Sequence, residues 1–126
     1  MSVMRKAIAA AAVAPPQLTG LSGEQSFYVS SDFVGFSGHF PDYPILPAVL
    51  QVLLAQLVAE AIVGRPLQVA SLSRAKFVRQ LRPDEKIDVA LDCREQGADL
   101  RCSVTLQVGD EKAASFTLTL KRDLVP

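Results

Sequence analysis

One histidine, two cysteines and no net charge are the first constraints on this chain of 126 residues. Thirteen basic side chains cancel thirteen acidic ones, so the chain has no overall bias toward nucleic acid or anionic lipid, and any electrostatic recognition has to be local. Cys93 and Cys102 lack the spacing of a zinc site, and no other cluster suggests a metal or a cofactor. They fall on the apolar parity of two neighbouring strands joined through Gly97, which reads as two buried thiols in a reducing compartment. No repeat or linker interrupts the chain. Its length suits one core and is too short for two.

The N-terminus has two readings. Met4-Arg5-Lys6 followed by Ala7-Ile8-Ala9-Ala10-Ala11-Ala12-Val13-Ala14 has the charge-then-apolar order of an export signal. Its apolar part is short and poor in leucine, and the preferred reading is a leader or short helix over residues 1–16, ending at Pro15-Pro16. A single domain over 17–126 then follows, in a cytoplasmic protein.

The longest apolar stretch begins after three prolines. Pro41, Pro44 and Pro47 fix their own φ and push Phe40, Tyr43 and Leu46 toward extended geometry, so the loop is stiff. Pro47 suits the first position of a helix. Ala48 to Val63 continue that helix, broken only by Gln51, Gln56 and Glu60, and Gly64 with Pro66 ends it. A helix so apolar on every side has to be buried on nearly every side. With a carboxylate near one end and proline at the other, it is a core helix and no membrane span.

The rest reads as strands. Gln25 to Ser30 alternate briefly and Leu67 to Val78 less regularly; Pro83 to Lys86 form a turn. Ile87-Val89-Leu91-Cys93, then Leu100-Cys102-Val104-Leu106-Val108, then Ala114-Phe116-Leu118-Leu120 keep one apolar parity, with a turn at Gly109-Asp110. Three such strands joined by short turns make an antiparallel sheet. One apolar helix with that sheet wrapped around it is an α+β layer fold. A sheet covering one side of the helix leaves apolar surface and strand edges for a symmetric partner, so a dimer is expected.

The run Gly38-His39-Phe40-Pro41, Pro44-Ile45, Pro47 and Val49 resembles the hot-dog-fold 3-hydroxyacyl-acyl-carrier-protein dehydratases (FabA/FabZ-like) of bacterial fatty acid synthesis. Arg74-Ala75-Lys76-Phe77-Val78-Arg79-Gln80-Leu81-Arg82-Pro83-Asp84 is similar to the strand and turn after their central helix. The likeness spans residues 24–120, and Leu46 with Gln51 is more like the dehydratases of aryl polyene and related pigment-lipid clusters. It implies a hot-dog fold and no cofactor. It also implies an acyl thioester substrate, on acyl carrier protein or CoA, and a site shared across a dimer.

By the same likeness, His39 is the base that takes the α-proton, and the backbone N–H of Ala48, where the family has glycine, polarises the thioester carbonyl. The acid belongs fourteen residues after the histidine, where this chain has Leu53. Gln51 and Gln56 are possible supporting residues, with Glu60 further down the helix and Asp42 in the loop as poor substitutes for the acid. Arg74, Lys76, Arg79 and Arg82 would dock an acidic carrier protein. Three roles follow: a dehydratase using an unexpected acid, a non-catalytic acyl-thioester-binding module, and a subunit of a heterodimer whose similar hot-dog partner supplies the carboxylate.

Overall fold

The computed structural model describes residues 3–33 and 45–122. The loop with His39 and Asp42 lies outside them. Among the described residues two helices and six strands follow one another as α1 (Val3–Ala10), β1 (Gln17–Thr19), β2 (Ser22–Val29), α2 (Ala48–Val63), β3 (Gln68–Phe77), β4 (Glu85–Gln96), β5 (Asp99–Val108) and β6 (Glu111–Lys121). The strands form one antiparallel sheet in the order β1-β2-β4-β5-β6-β3. This is the α+β hot-dog arrangement, with the sheet curled about α2. Among the described residues no helix is long and apolar enough to cross a membrane.

Alternation sets the inner face. Ile87, Val89, Leu91 and Cys93 of β4, Leu100, Cys102, Val104 and Leu106 of β5, and Ala114, Phe116, Leu118 and Leu120 of β6 are all buried, as a period of two requires when one sheet face meets a helix. The hairpins between these strands turn through Gly97 and Gly109, both with positive φ, where a side chain would be strained. Helix α2 lays Leu50, Leu54, Ala55, Val58 and Ala59 against that face. Its end is set by Gly64 in the left-handed region, whose N–H donates to the Glu60 carbonyl.

Three expectations are corrected. Pro47 is the N-cap of α2, with an extended ψ of 156°, and Ala48 is the first helical residue; Pro47 can then accept from the amides of Leu50 and Gln51 through its own carbonyl. The turn before β4 is shorter than expected, because Glu85 and Lys86 already pair with Val29 and Tyr28. The cysteines are not separate thiols: Cys93 and Cys102 are direct cross-strand partners and form a disulfide. The Cys93 amide donates away from β5, to the Leu21 carbonyl, which makes this a non-hydrogen-bonded pair. That class brings strands closest, and the Cα atoms here are 4.1 Å apart.

The N-terminal segment is part of the fold. Ile8 is buried, and Arg5 grips Glu60 of α2 through two hydrogen bonds of 2.7 and 2.5 Å. The Val13 amide donates to the Ser26 carbonyl and the Tyr28 amide to the Ala11 carbonyl. Together with the short β1, this segment covers the outer edge of β2. The opposite edge, β3, is exposed along its full length.

Candidate active site at the start of α2

The entrance to α2 is clamped on both sides. The Leu46 amide donates to the Leu81 carbonyl at 2.7 Å, and the Leu46 carbonyl accepts from Nε2 of Gln51 at 3.1 Å. Pro47 offers no side-chain cap, so the first amides of the helix, starting with Ala48, are left for another acceptor at the positive end of the helix dipole. They border an open groove of about 460 Å³ lined by Ile45, Leu46, Ala48 and Gln51 on one wall and by Phe77 and Val78 on the other. Its walls are mainly apolar, with backbone amides at one end. That combination suits an acyl chain whose polar head is a carbonyl.

Gln51 is buried, and while its Nε2 is engaged its Oε1 has no hydrogen-bond partner among the described residues. A buried acceptor without a donor costs about 1–3 kcal/mol, so this wall of the groove favours a ligand bringing an N–H or O–H. Gln56 faces elsewhere. Its Nε2 donates to the Leu67 carbonyl at 2.9 Å and ties α2 to the approach to β3. Glu60 holds Arg5 and also accepts from the Leu67 amide. The bond to Glu60 raises the pKa of Arg5, and the hydrogen bonds to Arg5 and Leu67 give Glu60 a structural task.

Leu53 is half-buried and packs against the core margin. It stands two residues after Gln51, which at 100° per residue places it about 200° around the helix. It therefore turns away from the groove that Gln51 lines in the same chain. The groove and the Leu53 position belong to one site only if two chains contribute.

The basic residues divide into two groups. Arg74 and Lys76 are exposed on β3. Arg79 is held by Glu85 through two hydrogen bonds of 2.9 and 2.5 Å and by Glu111 at 2.9 Å, so its charge is met within the chain. Those bonds push its pKa further up and hold the Glu85 carboxyl below its ordinary range. The Arg82 amide adds to the lowering at Glu85 while burial opposes it. The sequence placed these residues on one strand and turn, but the acidic partners of Arg79 come from β4 and β6, outside any local pattern.

Comparison with known proteins bears on the same elements. Residues 18–119 match the family model described as ApeI-like, ApeI dehydratase. The 3-hydroxyacyl-[acyl-carrier-protein] dehydratase FabZ of Bacillus velezensis is 30% identical over 106 residues, covering 78% of this chain and 74% of that protein. The FabZ of Natranaerobius thermophilus is 33% identical over 99 residues, covering 72% and 70%. Among solved structures, the dehydratase heterocomplex ApeI:P from Xenorhabdus doucetiae superposes with a TM-score of 0.73 at 22% identity, covering 88% of this chain and 96% of that one. A hypothetical thioesterase from Streptococcus pneumoniae, solved with coenzyme A, gives 0.71 at 10% identity, covering 94% and 92%. Both structures share the hot-dog fold. A match spanning most of the chain, joined to FabZ relatives of this similarity, means that the protein belongs to the ApeI-like dehydratases within the FabZ-like hot-dog family.

Proposed function

We propose that this chain is one subunit of a 3-hydroxyacyl-thioester dehydratase dimer, acting on acyl groups carried by acyl carrier protein and dependent on a hot-dog partner for its acid. The observation that carries the reading is the orientation of Leu53. By the sequence resemblance it stands where the family places a carboxylate; it turns away from its own groove and offers nothing that can donate a proton. A homodimer would then lack the acid in both sites. A heterodimer with a partner that has the acid would hold one complete site, formed by this chain's groove and the partner's helix.

In that complete site His39 takes the α-proton of the 3-hydroxyacyl thioester. The first amides of α2 at Ala48 stabilise the negative charge that builds on the thioester oxygen. The partner's acid gives its proton to the β-hydroxyl, which leaves as water, and a 2-enoyl thioester remains. Both proton transfers are needed because a thioester α-carbon is a weak acid and hydroxide a poor leaving group. The unmatched Oε1 of Gln51 suits the substrate hydroxyl or an amide N–H of the carrier's arm. The ApeI:P assembly is a dehydratase heterocomplex of the same fold, which supports pairing between unlike hot-dog chains.

The test is interconversion of 3-hydroxybutyryl and crotonyl thioesters by the purified chain. The wild type alone should turn over slowly. Leu53→Glu should gain about 10²- to 10⁴-fold, the usual contribution of a positioned general acid, and adding His39→Ala should abolish the gain. No gain in Leu53→Glu, together with none on adding a hot-dog subunit that has the carboxylate, would overturn the proposal.

A further inference from the structure

On the face of the sheet turned away from α2, three arginines gather around one carboxylate, that of Asp92. The β4–β5 register sets Arg94 directly opposite Arg101, and like charges in that relation destabilise a strand pair. Arg74 joins them from β3. It sits in the register interruption between Ser73 and Lys76 and has a φ of 52°, left-handed backbone that costs a non-glycine residue about 1–2 kcal/mol. Arg74, Arg94 and Arg101 border one concavity of about 250 Å³ together with the hydroxyl residues Ser103 and Thr117.

The acidic groups nearby are engaged elsewhere. Asp92 also borders the concavity, but its Oδ1 accepts from the Ser22 hydroxyl at 2.8 Å, toward β2. Glu95, the residue after Arg94, pairs with Arg122. Arg5, Arg79 and Arg122 each hold a carboxylate. Among the described residues Arg74, Arg94 and Arg101 form no ion pair. A register that opposes two arginines, with a third on a strained bend beside the same concavity, gains stability when an anion joins it.

We propose that this concavity binds a phosphate group. A tetrahedral dianion offers several acceptors to planar guanidinium forks, which bind it through paired charge-assisted hydrogen bonds, and the two hydroxyls can donate to the remaining oxygens. The phosphate can be free in solution or part of a larger molecule such as coenzyme A. The site lies on the opposite sheet face from the groove at α2, and it stands or falls independently of the dehydratase reading.

The experiment compares thermal unfolding of the whole chain in sodium phosphate and in sodium chloride of equal ionic strength. The proteins are the wild type, Arg94→Gln, Arg101→Gln and, as a control away from the concavity, Arg65→Gln. Phosphate should raise the midpoint of the wild type and of Arg65→Gln, and its affinity should fall about tenfold or more in the other two variants. In chloride, Arg94→Gln and Arg101→Gln should unfold at the same or a higher temperature than the wild type, because they relieve a repulsion. Titration with coenzyme A, 3′-dephospho-coenzyme A and pantetheine separates the sources. Binding of either phosphorylated compound but not pantetheine, lost in Arg101→Gln, identifies an organic phosphate, and a response to inorganic phosphate alone identifies the free anion. A phosphate response equal in all four proteins, or absent from the wild type, would overturn the site.

Discussion

Glu85 shows how single side chains divide structural from functional charge here. It accepts from two nitrogens of Arg79 and from the Arg82 amide, and these bonds favour its ionised form enough to lower its pKa despite partial burial. A carboxyl whose native pKa lies below its unfolded value contributes stability above the unfolded pKa, and that contribution is lost as pH falls through the native one. Glu85→Gln should therefore cost about 1 kcal/mol or less at pH 7, the scale of a partly exposed ion pair. Its stability gap to the wild type should begin to close near pH 5 and vanish below the lowered native pKa. Urea unfolding of both proteins across that range checks this; a gap constant down to pH 3 would mean that Glu85 contributes shape and no charge. The same bonds set Arg79 apart within the basic run after α2, since it directs its donors to Glu85 and Glu111 while Arg74 and Lys76 remain on the surface.

At the scale of elements, local pattern was legible wherever the partner was near in sequence. The apolar run to Val63 predicted α2 to within one residue at its start, where Pro47 is the cap and Ala48 the first helical residue, and parity placed the inner residues of β4, β5 and β6 because alternation is a property of each strand by itself. Strand β1 left no such trace: three residues, Gln17 to Thr19, are too few to show a period. The grip of Arg5 on Glu60 spans 55 positions, and nothing local to either residue signals it. The cysteines were placed on adjacent strands, but only the register decides that they meet. Of the candidate groove, the sequence located the helix start to within one residue, while the Gln51 clamp on Leu46 and the wall made by Phe77 and Val78 needed the fold. Close packing between elements was equally hidden. Gly23 of β2 lies under α2, where an added Cβ would stand 2.9 Å from Cγ1 of Ile62 and 2.9 Å from Cδ2 of Leu18. Gly23→Ala should therefore destabilise by about 1–3 kcal/mol through overpacking, more than the roughly 0.4–1 kcal/mol gained by stiffening the unfolded chain. A denaturation midpoint unchanged or raised in that variant would show that α2 can lift away from β2 at little cost.

For the whole molecule the decisive asymmetry is between the two ends of the sheet. One end is closed, because residues 11–13 and β1 hydrogen-bond to β2. The other end is β3, exposed on both faces, with Val69, Leu72 and Phe77 each 42% exposed and Val78 65%. Val49 of α2 is also 71% exposed. Among the described residues, helix α2 fully buries one stripe and leaves Val52, Leu53 and Leu57 only partly covered. An unpaired strand edge beside uncovered apolar side chains invites another sheet, and a two-fold pairing through β3 would make one continuous sheet while bringing the second chain's α2 toward the groove. The chain should therefore run as a dimer in size-exclusion chromatography with light scattering at micromolar concentration. Leu72→Asp, which puts a charge on that edge without touching a fully buried position, should shift it to the mass of one chain while leaving its circular dichroism spectrum intact. If the wild type proves monomeric, or if Leu72→Asp stays dimeric, the shared site has no route of assembly through β3, and Leu53 would have to be explained within a single chain.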